Sequence, residues 1–270
     1  MKAYRLVLTW VAVLALMLGA ACSKSNSEAE IFKADSLAQD LETVFSEIDS
    51  SMAQQIRVAN YRFASEAEIR TLLSSVQNVH EAVKTSCFVD NKGILRYLEP
   101  AEFKSSEGAD VSQQDHNKYM LENHQPTLSS AFMAVEGLAV VTLARPLFDA
   151  EQQFIGSLVL TIDPSVLAQK VLTLNNIPAK YELWAMEPDG MIVLDQDPGE
   201  IGKNVFSDPL YEPYSALREL ATTIAGAMSG EGKYLFKAAG TDKEVEKQAS
   251  WASFVYHSRV WRVILVKVAK

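Results

Sequence analysis

Two short segments 97 residues apart constrain this fold more than any other feature of the chain. Phe88-Val89-Asp90-Asn91-Lys92-Gly93-Ile94-Leu95 and Ala185-Met186-Glu187-Pro188-Asp189-Gly190-Met191-Ile192 each lead from apolar residues into an acidic residue, place Gly three positions later and return to apolar residues. Asn, Asp and Gly tolerate the positive φ of a tight turn, so both segments read as strand, turn, strand. The stretches that follow also correspond. Leu143 to Ile162 reads as two strands around a turn at Asp149 to Gln153, and Ser250 to Val268 as two strands around a turn at His257 to Arg259. A unit seen twice at this spacing predicts tandem modules, because a solenoid needs more copies. The join falls near Asn175-Asn176-Ile177-Pro178, after a helix that Asp163 caps with Pro164 in its first turn. The modules are therefore expected at 63–174 and 175–270.

Ahead of them, over 28–62, Leu37, Leu41, Val44, Phe45, Ile48, Met52, Ile56 and Ala59 recur at helical steps with charges and amides between them. One amphipathic helix from about Glu28 to Asn60 would be roughly 50 Å long. Ser50, Ser51 and Gln55 interrupt the stripe too often for a coiled-coil seam, so the helix is expected to pack along its own globular body. A second helix starts at Ser65 with Glu68 as its capping-box partner; its apolar face is read as Ile69, Leu72, Leu73, Val76 and Val83. The remainder reads mostly as strand and turn.

The N-terminus has a secretory layout: Lys2 and Arg5, an apolar run from Leu6 to Leu18, then Gly19, Ala20, Ala21 and Cys22. The run is short for a membrane span and is followed at once by Ser23 to Ser27, a polar tether over 22–27. Leu18-Gly19-Ala20-Ala21-Cys22 resembles a lipoprotein cleavage box, with Gly19 where that box usually carries Leu. The resemblance implies removal of 1–21 and diacylation (palmitate) at Cys22; two acyl chains give stable attachment. Simple secretion or an uncleaved anchor is the alternative. Loss of 1–21 takes the formal charge from −9 to −11, which disfavours nucleic acid as a partner. Cys87, in the apolar run from Val83 to Val89, is read as a buried thiol because only Lys84 is near it in sequence.

A long helix, a turn-bearing hairpin, Gly108-Ala109-Asp110-Val111-Ser112, and Ala144-Arg145-Pro146-Leu147-Phe148-Asp149 leading to Phe154-Ile155-Gly156-Ser157-Leu158 together resemble a double Cache domain. Asp197-Pro198-Gly199-Glu200-Ile201-Gly202-Lys203-Asn204 is similar to the membrane-proximal half of such proteins. The likeness runs over about 28 to 268. It implies an α+β fold: a long N-terminal helix and two PAS-like antiparallel-sheet modules, with a small molecule held in the membrane-distal module, here the first. By this resemblance the pocket would be walled by Asp110 to Tyr119, by Ser129, Ser130 and Phe132, and by Asp163. Gln114, His116, Tyr119 and Ser130 would supply hydrogen bonds, and Phe132 and Met120 apolar surface. The bland reading makes Tyr119 and Phe132 core aromatics, His116 a solvated loop residue and Asp163 only a helix cap. Amino-acid-binding relatives carry Arg and a Trp-Tyr pair here; this chain has no Arg or Trp between Arg96 and Arg145, so an ordinary amino acid is disfavoured.

No enzyme is expected. The chain lacks a Gly-x-Ser-x-Gly elbow, a His-Glu-x-x-His helix and a phosphate-binding Gly loop, and its 12 glycines are scattered among turns. His116 and His124 have no third ligand nearby, so no metal or cofactor is expected. Asp195 and Asp197 read as solvated turn residues, and Trp184, Trp251 and Trp261 as core. The function expected is that of a lipid-anchored extracytoplasmic sensor protein on the periplasmic face or cell surface. It binds a small molecule and presents it to a membrane receptor or transporter, because the chain ends at Lys270 directly after a strand. The alternative is a structural or assembly lipoprotein whose Cache modules form an interaction platform without ligand.

Overall fold

A computed structural model describes residues 34–59, 63, 65–238, 241 and 243–268. The expected leader, Cys22, the tether and the first turns of the long helix lie outside the described residues. The architecture is α+β. Helix α1 (Ala34–Ala59) follows from its apolar spacing: Leu37, Leu41, Val44, Phe45, Ile48 and Met52 are all buried. Helix α2 (Glu66–Val76) begins with the full capping box. The Ser65 hydroxyl accepts the Glu68 N–H at 3.3 Å, and the Glu68 carboxylate accepts the Ser65 N–H at 3.1 Å. Its buried face is Ile69, Leu72, Leu73 and Val76. Val83 continues that spacing in the sequence but opens strand β1 (Val83–Asp90) instead, because the helix stops at Gln77 and the chain turns at His80, whose carbonyl accepts the Val83 N–H.

The first sheet also contains β2 (Leu95–Glu99), β3 (Thr127–Leu128), β4 (Phe132–Met133), β5 (Ala139–Phe148) and β6 (Phe154–Ile162), with helices α3 (Asp115–Asn123) and α4 (Pro164–Leu174). The second contains β7 (Tyr181–Met186), β8 (Ile192–Asp195), β9 (Gly230–Lys237), β10 (Glu244–Tyr256) and β11 (Arg259–Val268), with helix α5 (Ser215–Gly226). Strand order is β2-β1-β6-β5-β3 in one, with β4 also on β5, and β8-β7-β11-β10-β9 in the other. Numbered within each module, both read second, first, last, next to last, third. The internal repeat continues past the hairpin turns: Ile94 bridges to Asp110 as Met191 does to Asn204, and Val111 N–H donates to Gly93 O as Val205 N–H does to Gly190 O, both at 2.9 Å. Gly is required at both turns. Gly93 and Gly190 have φ of 79° and 91°, and a Cβ there would lie 2.5 Å from Ser112 Cβ or 2.4 Å from the Phe206 ring.

Each sheet is covered on both faces. The faces turned to α1 share one core in which Leu41, Phe45 and Ile48 meet Leu143, Leu158 and Leu160 of the first module and Leu183, Phe254, Trp261 and Val263 of the second. Phe45 packs edge-on against Trp261, ring centroids 5.2 Å apart, and 6.1 Å from Phe254. The opposite faces form separate cores, one per module.

A buried carboxylate ties the three parts together. Asp49 of α1 accepts two hydrogen bonds from Arg145 of β5, at 2.5 and 2.8 Å, one from the Tyr256 hydroxyl at 3.0 Å, and lies 3.0 Å from His257 Nε2 in the β10–β11 turn. Burial alone would raise its pKa; the hydrogen bonds from His257 and Arg145 and their charges outweigh that and hold it at about 2. The unfolded chain therefore takes up this proton first on acidification. The resulting contribution, about 2 kcal/mol, is complete above pH ~4 and is lost as pH falls toward ~2. Asp49→Ala, which strands the Arg145 guanidinium, is expected to cost about 3 kcal/mol in urea unfolding. It should also flatten the stability curve between pH ~4 and ~2; an unchanged acid limb would show that Asp49 is not its source.

Candidate functional site

A small-molecule site is concave, and the space between each sheet and the helix or loops laid over its free face is where such a concavity can form. In the first module side chains fill that space. Helix α3 lays His116, Asn117 and Met120 against Cys87, Val89, Ala144 and Val159 of the sheet, and His116 packs on Phe132 with ring centroids 4.8 Å apart. About 30 Å³ remains, room for about one water. Burial, followed by the charge of Arg259, lowers the His116 pKa to about 4, so the imidazole is neutral. The Cys87 thiol is buried and burial pushes its pKa up.

The residues expected to wall a first-module pocket are only partly gathered. Gln114, His116 and Phe132 line the residual space. Asp110 forms a turn instead, accepting the Ser112 N–H at 2.9 Å, and its counterpart Asn204 does the same for Phe206. Tyr119 lies on the outer side of α3 and is 41% exposed. Ser130 turns to the second module and donates to Glu187 at 2.5 Å. Asp163 caps α4, accepting the N–H groups of Ser165 and Val166, and pairs with Lys84 at 3.4 Å.

The equivalent space in the second module is open. A cavity of about 790 Å³ lies between the outer face of the β7–β8–β9–β10 side of the sheet and a cover made of the segments that precede α5 and the start of α5 itself. Its floor carries Glu182 and Trp184 of β7, Asp195 of β8, Tyr234 of β9 and Lys247 of β10; Asp197, Glu200, Val205, Tyr211 and Leu217 close the other side. Strand alternation puts Glu182 and Trp184 on this face and Leu183 in the shared core. Lys247, almost fully buried, pairs with Glu182 and lies 5.3 Å from the Phe236 ring centre. The Tyr211 hydroxyl donates to Glu200 at 2.6 Å. Burial, followed by the Glu182 charge, raises the Tyr234 hydroxyl well above its usual range, with Trp184 acting against them; the buried Trp184 Nε1 has no hydrogen-bond partner among the described residues.

The electrostatics of this cavity are those of crowded acids. Burial raises the Asp195 carboxyl well above its usual range, and the strongest charges on it, Glu200, Asp197 and Glu182, raise it further against one hydrogen bond from the Asp197 N–H. Burial also raises Glu200, with Asp197, despite Tyr211, Lys203 and Lys247. The expectation that Asp195 is a solvated turn residue is corrected: it ends a strand on the cavity floor. Trp184, Trp251 and Trp261 are all buried in the core as expected, and Trp184 also borders the cavity. The amino-acid order does not bring this set together, because its members come from four strands, the covering loop and α5. The alternation of Glu182, Trp184 and Met186 is the one local signal of it. Among the described residues no cluster of His, Cys, Asp and Glu could hold a metal ion, and no helix is long and apolar enough to cross a membrane.

Sequence and fold point to one class of similar proteins. Residues 43–164, a little under half of the chain, match the family model described as HK/GC/Chemotaxis protein-like, sensor domain, and the fold is similar to those of solved extracellular sensor domains. More particularly, the chain is similar to an extracellular ligand binding receptor from Desulfohalobium retbaense, at 25% identity and TM-score 0.70 over 87% of this chain; it spans 39% of that receptor's length. It also shares its fold with the ligand-binding domain of the Pseudomonas aeruginosa amino acid chemoreceptor PctB in complex with L-Arg (14% identity, TM-score 0.61, 87% of this chain and 92% of that one). The ligand-binding domain of the Pseudomonas fluorescens chemoreceptor CtaA in complex with L-isoleucine shares it too (14%, 0.59, 87% and 89%). No curated protein matches the chain by sequence.

The neutral, buried His116 gives a measurable signature. Its unfolded form takes up a proton near 6.5 and its folded form only near 4, so stability drops as pH falls through that interval, by about 3 kcal/mol in all. His116→Gln should lose this slope. Denaturation from pH 7 to 4 tests it as the difference between the two curves; parallel curves would mean that the imidazole is hydrated and titrates normally.

Proposed function

We propose that this chain is an extracytoplasmic sensor protein that binds a small molecule in the second-module cavity. In this reading lipid on Cys22 holds it at the membrane, and it presents the bound ligand to a membrane receptor or transporter. The observation that carries the site is the contrast between about 790 Å³ of lined space in the second module and about 30 Å³ in the first. A cavity of the larger size, walled by Trp184, Tyr211, Tyr234 and Leu217 together with the charged Glu182, Asp195, Glu200 and Lys247, suits a metabolite-sized ligand. The resemblance of its fold to ligand-binding domains of chemoreceptors supports the sensing role, and the Leu18-to-Cys22 box supports the anchor.

The sensor-domain match over 43–164 covers the first module and favours a second reading, in which α3 moves off the sheet and a ligand enters at Gln114, His116 and Phe132. The filled first module agrees equally with a platform role for that half.

A thermal-shift screen against organic acids, amines, nucleobases and sugars tests sensing directly: a ligand at about a hundredfold excess over Kd adds about 2.7 kcal/mol. Leu217→Trp, which fills the cavity, should abolish the shift while Phe132→Ala preserves it. The opposite pattern assigns the first module, and no shift across the panel favours the platform. For the anchor, palmitate labelling and membrane fractionation are expected to find the wild type labelled and sedimenting, and Cys22→Ala unlabelled and soluble. A labelled Cys22→Ala protein would exclude Cys22 as the attachment point.

A further inference from the structure

The two modules can be compared position by position, because they share strand order and register. Cys87 of β1 pairs with Leu98 of β2 and with Val159 of β6; at the equivalent place Trp184 of β7 pairs with Asp195 of β8 and with Ile264 of β11. The fold itself is therefore content with an apolar pair at this point of the floor, and in the first module Leu98 is fully buried there. Asp195 is not needed to build the sheet. It is a half-buried acid where the first module has an apolar residue, and its ionised form carries an energetic cost there unless water or a cation meets it.

Nothing cationic within the described residues does so. One Asp195 oxygen accepts the Asp197 N–H at 2.7 Å, and no donor among the described residues meets the other. Lys247, the cation on the floor, is engaged with Glu182 and the Phe236 ring. At the rim Lys180 lies 5.6 Å from the Tyr181 ring centre. Trp184 pairs with Asp195 across the strands, Tyr211, Tyr234 and Val205 line the same cavity, and the buried Trp184 indole N–H has no hydrogen-bond partner among the described residues. Carboxylates beside aromatic faces form a favourable setting for an ammonium group, which accepts no hydrogen bonds, donates three and is attracted to ring faces.

We infer that the second-module cavity takes a primary amine with an aromatic or apolar body and no carboxylate, its ammonium on Asp195 with Glu200 beside it. This deepens the proposed function and rests on that reading of the cavity. An anion would add to the charge of Glu182, Asp195, Asp197 and Glu200, and Lys247 is held by Glu182. Binding of a cation also draws protons off the crowded acids. The groups facing them are Glu182 and Trp184 of β7, Tyr234 and Lys237 of β9, Lys247 of β10, and Asp197, Lys203 and Tyr211 of the covering loop. Amine affinity should accordingly rise with pH as Asp195 and Glu200 ionise, with net proton release.

Isothermal titration of the purified protein with phenethylamine, phenethyl alcohol and phenylacetate varies charge on nearly one body. The expected result is that phenethylamine alone binds, releases protons by comparison of buffers with different ionisation enthalpies, weakens about tenfold or more in Asp195→Asn, and is lost in Leu217→Trp. Ala238→Trp at the rim replaces Leu217→Trp if the latter unfolds cooperatively at a much lower temperature. Preferential binding of the alcohol or the acid, lost in the filled variant, overturns the amine assignment and leaves the cavity as the site. Amine binding that survives both filled variants overturns the cavity reading itself. Absence of binding by all three probes, or amine binding unaltered in Asp195→Asn, overturns the inference.

Discussion

The apolar stripe of α1 runs from Leu37 to Met52, and no single sheet of this chain covers it. Two sheets lie along it and bury it jointly, so that α1, Leu143 and Leu160 on one side and Phe254, Trp261 and Val263 on the other belong to one core. Hydrophobic burial has no direction and fixes only that the pieces stay together. Direction comes from Asp49, midway along the same helix, whose two oxygens receive Arg145 from one module and Tyr256 and His257 from the other. A carboxylate placed in that core is tolerable only with all of these partners present, so the contact specifies how each module meets the helix.

That shared face leaves each module one face of its own to use differently. Topology and register are the same, yet the first module seats α3 with His116 and Met120 on its free face, and the second spans the corresponding region with the acidic turn from Asp195 to Glu200 and the Tyr211 segment. Whether a pocket exists thus depends on the segment laid over the sheet and on the side chains standing on it. The strand framework is indifferent to the outcome.

Features governed by neighbours in sequence are legible in the amino-acid order. The Ser65–Glu68 capping box, the Asp163–Pro164 helix start and the positive-φ turns at Gly93 and Gly190 are set within four residues, although the close approach of Ser112 and Phe206 to those glycines is not local. The helical period of α1 announces its buried stripe. Features governed by distant partners are not legible in this way. Helix α3 buries His116 and Asn117 rather than an apolar stripe, so its sequence looks like a loop. Helix α5 is the converse case: it falls in a region expected to be strand and turn, although Leu217, Leu220, Ala221 and Ile224 stand at helical spacing. Val83 misleads because seven residues after Val76 is a helical step whether or not the helix continues. The cavity set comes together only when β7, β8, β9 and β10 lie side by side.

Glu187 stands where the first module has Asp90, at the mouth of the equivalent turn. Asp90 is short and closes its own turn, accepting the N–H groups of Lys92 and Ile94; Glu187 is one methylene longer and reaches across to Ser130 and Arg259. It is also the next residue after β7, the strand whose earlier positions Glu182 and Trp184 wall the cavity. From Glu182 to Glu187 is about 17 Å of extended chain, paired with β11 up to Met186 and with β8 from Trp184 onward. Sliding such a strand would break its ladder, so the register holds Glu187 at a set distance from Glu182 and Trp184, and the carboxylate that bonds Ser130 of the first module directly follows the strand that walls the cavity.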